Sequence, residues 1–369
     1  MNSKKTYFIT GGGTGGHIYP AVAVADELAR LTSTEKIYYV GNPNNLEATI
    51  VKDKNFEFLP VVSSGMPRKI SFEFITWTFK MIHAWFECCK YIHKYKPDVI
   101  FGTGGYVSAP VLFAGMTMRV PFVMHDCDAN PGLVTRKFAK FAKSVSVAFD
   151  IAKTKLNNKN CFTNGNPIRI EFRTLTKEKA RQILNLEDKL TLCIMGGSQG
   201  AKAINDATVP ILKTLSQTYK LQIVFQTGKR NYDEVIEQLK QVYPEFEQDK
   251  NIIIKPYFED MVTVLKACDI AVSRAGSLSI SELCACHIAP IFVPYPYAAA
   301  DHQRINAKFM VQQGAGLYLE NDATNPVTLI EKILELVNSS IKLRSVQIAS
   351  ARLATYDGVD KIVEQITKN

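Results

Sequence analysis

The sequence predicts an α/β protein of two similar domains, each a mostly parallel sheet with helices on both faces. Three observations predict it. Short apolar runs alternate with helix-length segments, several of those runs end in glycine-rich turns that open a helix, and the pattern restarts about 185 residues on. At 369 residues and 46% hydrophobic content the chain can bury two large cores. The joint is expected near residue 165, giving domains 1–165 and 166–351, with a terminal helix over about 352–369 packing back on the first. The two domains are expected to face each other across a cleft.

The first strand is expected over Thr6–Thr10, buried from Tyr7 onward. Five of the next six residues, Gly11 to Gly16, are glycine, so the backbone turns where side chains would obstruct a ligand. A helix reads from Pro20 to Arg30, its first amides and positive dipole end suiting a phosphate, with His17 at the mouth of the gap. Gly11, Gly13 and Gly16 satisfy the dinucleotide pattern G-x-G-x-x-G, which requires an acidic residue closing the second strand. That strand, Ile37–Val40, runs into Gly41-Asn42, which argues against a dehydrogenase. A Walker loop needs Gly-Lys-Ser/Thr, and here His17 follows Gly16, which argues against a kinase. The third reading is a loop where a sugar acceptor and a diphosphate leaving group meet, with His17 as base. A purely structural His17 is the alternative.

After a helix near 45–53 comes a long helical segment, 71–95, with two adjacent apolar stripes. One runs through Ile75, Phe79, Ile82, Phe86 and Cys89, the other through Phe74, Trp77, Met81, Trp85 and Cys88. One stripe suffices for a core-facing helix. The second, aromatic one (Phe74, Trp77, Met81, Trp85), flanked by Arg68, Lys69, Lys80, Lys90, Lys94 and Lys96, is expected to form a patch for anionic lipid; burial on two sides is the alternative. Strand Asp98–Phe101 then enters a second glycine turn, Gly102 to Gly105, followed by Tyr106. Its turn should adjoin the first at the carboxyl edge of the sheet. Strand Pro121–Met124 ends in the polar run His125 to Gly132. Asp126 and Asp128 spell D-x-D, a weak metal signal, and His125 reads equally as a site residue or a structural one.

Beyond Gly165-Asn-Pro-Ile-Arg169, strand Leu190–Met195 opens a third glycine turn, Gly196 to Ala201. Strands follow at Leu221–Gln226, Ile252–Lys255 and Asp269–Ser273. The last leads to Gly276 and Ser277 at a helix start, which offer amides and a hydroxyl to a diphosphate, and to Glu282, placed to reach a ribose diol. The loop after Ile291–Pro294 carries Asp301, His302, Gln303 and Asn306, all partners for sugar hydroxyls.

The eight cysteines show no C-x-x-C spacing, no apolar signal core follows Met1, and no run of 18 apolar residues occurs. A reducing cytosol is the expected setting. Residues 1–165 hold 20 Lys and Arg against 12 Asp and Glu, whereas 166–369 hold 24 against 23. That excess suits an anionic membrane surface; nucleic acid is not expected, since no RNP, zinc or helix-turn-helix signature appears.

The stretches Gly11–His17, Gly104–Ser108, Gly165–Arg169, Gly196–Ala201, Arg274–Glu282 and Asp301–Gln303 with Asn306-Ala307 span nearly the whole chain. Together they resemble the undecaprenyl-diphospho-muramoylpentapeptide β-N-acetylglucosaminyltransferases, glycosyltransferases of family 28 with the GT-B fold of two Rossmann-like domains. The resemblance implies transfer of N-acetylglucosamine from UDP-N-acetylglucosamine (UDP-GlcNAc) to the C4 hydroxyl of lipid I, giving lipid II in peptidoglycan synthesis, on the cytoplasmic face of the bacterial inner membrane. It implies donor contacts at Thr14, Gly15, Gly16, Asp128, Arg169, Ser198, Phe258, Arg274, Gly276, Ser277, Leu278, Ser279, Ile280, Ser281, Glu282 and Gln303. Gly104, Gly105 and Tyr106 would line the acceptor, His17 would be the catalytic base with Asp126 in reserve, and no cofactor or metal would be obligatory. Where the family usually reads His-Glu-Gln-Asn, this chain has His125-Asp126-Cys127-Asp128, a carboxylate in place of a neutral amide. A diacylglycerol glycosyltransferase, a UDP-sugar epimerase and a non-catalytic nucleotide-sugar-binding protein are the alternative readings.

Overall fold

The computed structural model describes residues 4–67, 72–197 and 199–368. The chain divides into two compact units, Met1–Ile168 with Asp357–Asn369, and Arg169–Tyr356.

In the first unit the strands are β1 (Lys5–Thr10), β2 (Thr34–Gly41), β3 (Glu57–Pro60), β4 (Val99–Gly102), β5 (Phe122–Asp126), β6 (Ser144–Val147) and β7 (Cys161–Thr163). They pair in parallel in the order β3-β2-β1-β4-β5-β6-β7. The order reverses between β1 and β4, so the loops leaving those two strands flank the crevice where doubly wound sheets bind ligands. Strand β1 shows why the sheet is covered twice. Tyr7 and Ile9 join the cluster beneath α1 (Gly15–Arg30), with Ile18, Ala21, Ala25 and Leu28, and the terminal helix Gly358–Thr367 adds Ile362, Val363 and Ile366. Phe8 points the other way, toward Ala84, Cys88 and Ile92 of the long helix Phe72–Tyr95 and Val111 and Leu112 of the helix Ser108–Thr117. This alternation is the period-2 geometry of a strand buried on both faces.

The first helix starts earlier than its apolar pattern suggests. Thr14 is extended (φ −145°, ψ 156°) and caps α1, so Gly15, Gly16 and His17 form the first helical turn, and Pro20 lies inside the helix.

The two stripes of the long helix, α3 (Phe72–Tyr95, following α2, Leu46–Val51), are the reverse of the sequence expectation. Phe74, Trp77, Met81 and Trp85 are partly covered: the indole N–H of Trp77 donates to Ser64 O at 2.9 Å, and that of Trp85 to Thr117 Oγ1 at 3.1 Å. Trp85 also packs 5.7 Å from Phe113, ring to ring. The outward stripe is instead Phe72, Ile75, Phe79, Ile82 and Phe86, exposed by 78, 53, 69, 45 and 54%. Each indole found a hydrogen-bond acceptor on its own unit, which a plain hydrophobic count does not weigh. Of the flanking cations, Arg68 and Lys69 lie outside the described residues.

The second unit repeats the plan. Strands β8 (Thr191–Met195), β9 (Gln222–Gln226), β10 (Ile252–Lys255), β11 (Ile270–Ser273), β12 (Ala289–Phe292) and β13 (Leu317–Tyr318) run parallel in the order β10-β9-β8-β11-β12-β13. Leu192 and Ile194 of β8 sit in a core with Ile223, Phe225, Val272 and Ile291. The loops after β8 and β9 interlock: Gly200 and Gly228 both have positive φ, and a Cβ at Gly228 would stand 2.2 Å from Gly200 N.

Candidate active site

The glycine turn after β1 is shaped by its neighbours. Thr103 Oγ1 donates to His17 O at 2.6 Å and fills the space a Cβ at Gly11 would need, 1.9 Å away. Tyr39 OH donates to Gly11 O at 2.6 Å. The turn after β4 presses on it, since a Cβ at Gly105 would stand 2.3 Å from Gly12 O. Gly104 and Gly105 have φ of +88° and +77°, and the His17 ring lies against both. The two glycine turns expected to adjoin therefore touch, with His17 between them. Its Nδ1 is buried and has no hydrogen-bond partner among the described residues. Gly15 is covered by the Tyr19 ring, Gly16 lies near Thr14 and Cys127 Sγ, and Tyr106 packs its ring on Gly13.

At the end of β5 the polar run separates into distinct roles. His125 is fully buried, with Nδ1 3.0 Å from Ser146 Oγ and Nε2 3.1 Å from Asn166 Oδ1. Burial pushes its imidazole down to about 4, so it is neutral and structural. Asp126 is buried and accepts the N–H of Asp128 at 3.2 Å and of Gly132 at 3.0 Å, which shapes the loop. Burial raises its carboxyl, the nearby Asp128 charge raises it further, and His17 pulls it back down. Among the described residues, no group of three or more His, Cys, Asp and Glu is arranged to hold a metal ion.

In the second unit, Gly276 caps the helix Ser277–Ala285 with an extended backbone and no side-chain bond, leaving the first-turn amides to other acceptors. Ser277 is buried, Leu278 and Ser279 are partly exposed, Ile280 joins the buried residues, and Ser281 Oγ donates to Ser277 O at 3.1 Å. Glu282, one turn further, has its carboxyl pushed up to about 7 by burial, with Arg169 pulling the other way. Arg169 stacks on Phe172 at 5.5 Å. Among the described residues Arg274 makes no carboxylate pair: its Nη1 donates to Val293 O, Pro294 O and Asn321 Oδ1 at 3.0, 3.1 and 2.8 Å, and its guanidinium stacks on Tyr295. It thereby pins the loop that carries Gln303, whose Oε1 accepts from Tyr295 N at 2.9 Å. Phe258 is buried, its N–H bonded to Gln226 Oε1. Ser198 lies outside the described residues.

A cavity of about 630 Å3 in this unit, lined by Lys177, Arg181, Asp188 and Asp269, contains none of these residues. It lies where β8 and β11 begin, and its lining is an ion-pair network in which Asp269 bonds both Lys177 and Arg181. Sequence reasoning missed Glu47. The acid sought at the end of β2 stands six residues beyond Gly41, in the first turn of α2, folded back under the glycine turn. The signal available was the turn-rich run Asn42-Pro-Asn-Asn45, which lets a later residue return to the strand end.

Two doubly wound parallel units, each presenting glycine turns and a helix start at the carboxyl ends of its strands, define a GT-B glycosyltransferase architecture. The chain belongs to glycosyltransferase family 28: residues 7–147 match the family's N-terminal domain and residues 191–362 its C-terminal domain. It is 37% identical over 362 residues to a UDP-N-acetylglucosamine--N-acetylmuramyl-(pentapeptide) pyrophosphoryl-undecaprenol N-acetylglucosamine transferase of Desulforamulus reducens, covering 98% of this chain and 97% of that one. A protein of Bacillus thuringiensis with the same description is 33% identical, with 98% of each chain covered. Among solved structures, Acinetobacter baumannii MurG is similar with a TM-score of 0.81 and 26% identity, covering 99% of this chain and 100% of that one.

Proposed function

We propose that this chain moves N-acetylglucosamine from UDP-GlcNAc to the C4 hydroxyl of the muramoyl sugar of lipid I, with inversion at the sugar C1, producing lipid II. The observation that carries the reading is His17 held between two touching glycine turns in a family 28 chain. The acceptor hydroxyl attacks C1 as the bond from C1 to the UDP oxygen breaks. His17 takes the hydroxyl proton: its ring is held between the two glycine turns and its buried Nδ1 has no hydrogen-bond partner among the described residues. Asp126 interacts with the His17 ring and is the reserve candidate for the base. Charge developing on the departing diphosphate is met by the positive end of the helix that follows Gly276, without an obligatory divalent metal. Thr14, Gly15, Gly16, Asp128, Arg169, Ser198, Phe258, the segment Ser277 to Glu282, and Gln303 are the proposed donor contacts; Gly104, Gly105 and Tyr106 are the proposed acceptor contacts.

No described helix is long and apolar enough to cross a membrane. The reading therefore places the chain peripherally on the cytoplasmic face of the inner membrane, with the outward stripe of α3 and the exposed Lys80, Lys90 and Lys94 against anionic lipid. The test of the reaction is transfer of labelled N-acetylglucosamine to a lipid I analogue in the presence of EDTA. Wild-type chain should transfer, and His17→Ala should lose roughly 10^2- to 10^4-fold in kcat while UDP binding survives. Tight UDP binding without transfer by the wild type would instead rule out lipid I as acceptor.

A further inference from the structure

We infer that Glu47 is a positioning residue whose buried carboxylate ties the Gly11–Gly16 turn to Tyr106, setting the acceptor side of the proposed site as one piece. This rests on the transfer reaction proposed above. Glu47 is fully buried. Its Oε2 accepts the Gly13 N–H at 3.3 Å, and its Oε1 accepts the Asn42 N–H at 3.2 Å and the Asn45 Nδ2–H at 3.3 Å. Asn45 Nδ2 in turn donates to the Tyr106 hydroxyl at 2.8 Å, so one amide joins the carboxylate to the second glycine turn.

The geometry leaves no slack. A Cβ at Gly12 would stand 2.5 Å from Glu47 Oε1, and Gly13 has φ of +85°, a conformation that glycine adopts without strain. Tyr39, whose hydroxyl donates to Gly11 O, is held protonated by burial and then by the Glu47 charge, which keeps that donor in place. All three donors to Glu47 are neutral amides. A buried carboxylate satisfied only by neutral donors is a poor stabiliser compared with an apolar side chain. Both oxygens must accept at once, which a carboxylate does and a primary amide does not. The arrangement therefore serves loop geometry: it fixes where the Gly13 amide and the Tyr106 hydroxyl stand relative to His17.

The test uses the full chain with Glu47→Gln and Asn45→Ser. Glu47→Gln sets an NH2 group against a backbone N–H; Asn45→Ser removes the amide that joins the carboxylate to Tyr106 and leaves the Gly13 and Asn42 bonds to Glu47 in place. Acceptor and donor KM, kcat and hydrogen exchange at the Gly13 amide are measured for each. Glu47→Gln should lower kcat/KM for the acceptor roughly 10- to 100-fold, chiefly through a higher acceptor KM with donor KM unchanged, and should speed exchange at Gly13. Asn45→Ser should shift the acceptor KM in the same direction by less, and leave Gly13 protected. A merely structural role would reduce the active fraction and move neither KM, and that result overturns the inference. If Glu47→Gln does not fold, an unchanged acceptor KM in Asn45→Ser overturns it. If the wild type transfers nothing, the reaction is wrong, and Gly13 exchange still decides the role of Glu47: unchanged protection in Glu47→Gln refutes it.

Discussion

Glu282 and Arg274 show how side chains of similar sequence appearance acquire different roles once folded. Burial holds the Glu282 carboxyl near neutrality, at about 7, against the pull of Arg169. Its folded value is raised above the ordinary 4.5, so the charged form is disfavoured in the fold. The associated stability is fully present below about pH 4.5 and is lost as pH rises toward 7. Glu282→Gln should therefore leave the thermal midpoint unchanged near pH 4.5 and raise it at pH 8, with a ceiling of about 3 kcal/mol. Paired thermal melts of both chains at the two pH values check this, and an equal shift at both would refute the burial account. That Glu282 lies about one and a half turns beyond a glycine at a helix start was legible in the sequence. Its protonation was not, because it depends on what covers it. Arg274 was legible as a charge two residues before Gly276, whereas its three carbonyl-type acceptors come from residues 19 to 47 positions away.

At the scale of elements, α3 carries the clearest lesson. Period and composition identified the helix almost to the residue, yet two stripes of equal apolar weight gave no basis for ranking them, and the tryptophans drew the wrong one forward. What decides orientation is a polar atom: each indole N–H needs an acceptor when covered, and Ser64 and Thr117 supply them from elsewhere in the chain. The two orientations make opposite predictions. Phe79→Ser with Ile82→Ser should reduce co-sedimentation with vesicles containing anionic lipid without lowering the melting temperature. Trp77→Ser should lower the melting temperature by removing a partly covered ring. Loss of vesicle binding in Trp77→Ser alone would restore the original reading. The short strands β3, β6 and β7 escaped notice for a related reason: Ser144, Ser146 and Glu57 dilute their apolar pattern, and parallel pairing alone places them in the sheet.

At the scale of the whole molecule, the repeat about 185 residues apart and the glycine turns made the two-unit plan readable, since both follow from local chemistry. The terminal segment is expected to return to the first domain, and residues 357–369 lie in one unit with residues 1–168. Ile362, Val363 and Ile366 are buried beside Tyr7 and Ile9 of the first strand. Each such side chain contributes about 1.5–3 kcal/mol when removed from water. Truncation after Tyr356 should accordingly lower the first unit's unfolding midpoint while sparing UDP binding, measurable by calorimetry with and without the nucleotide. An unaltered first transition would show that the segment is dispensable.

The same return of the chain sets an order in time. Synthesis delivers the first sheet early, but the strip that seals one face of it emerges from the ribosome only after the whole second unit. Until then Tyr7, Ile9 and their neighbours await a partner some 350 residues downstream, so the first unit is begun before the second and sealed only after it.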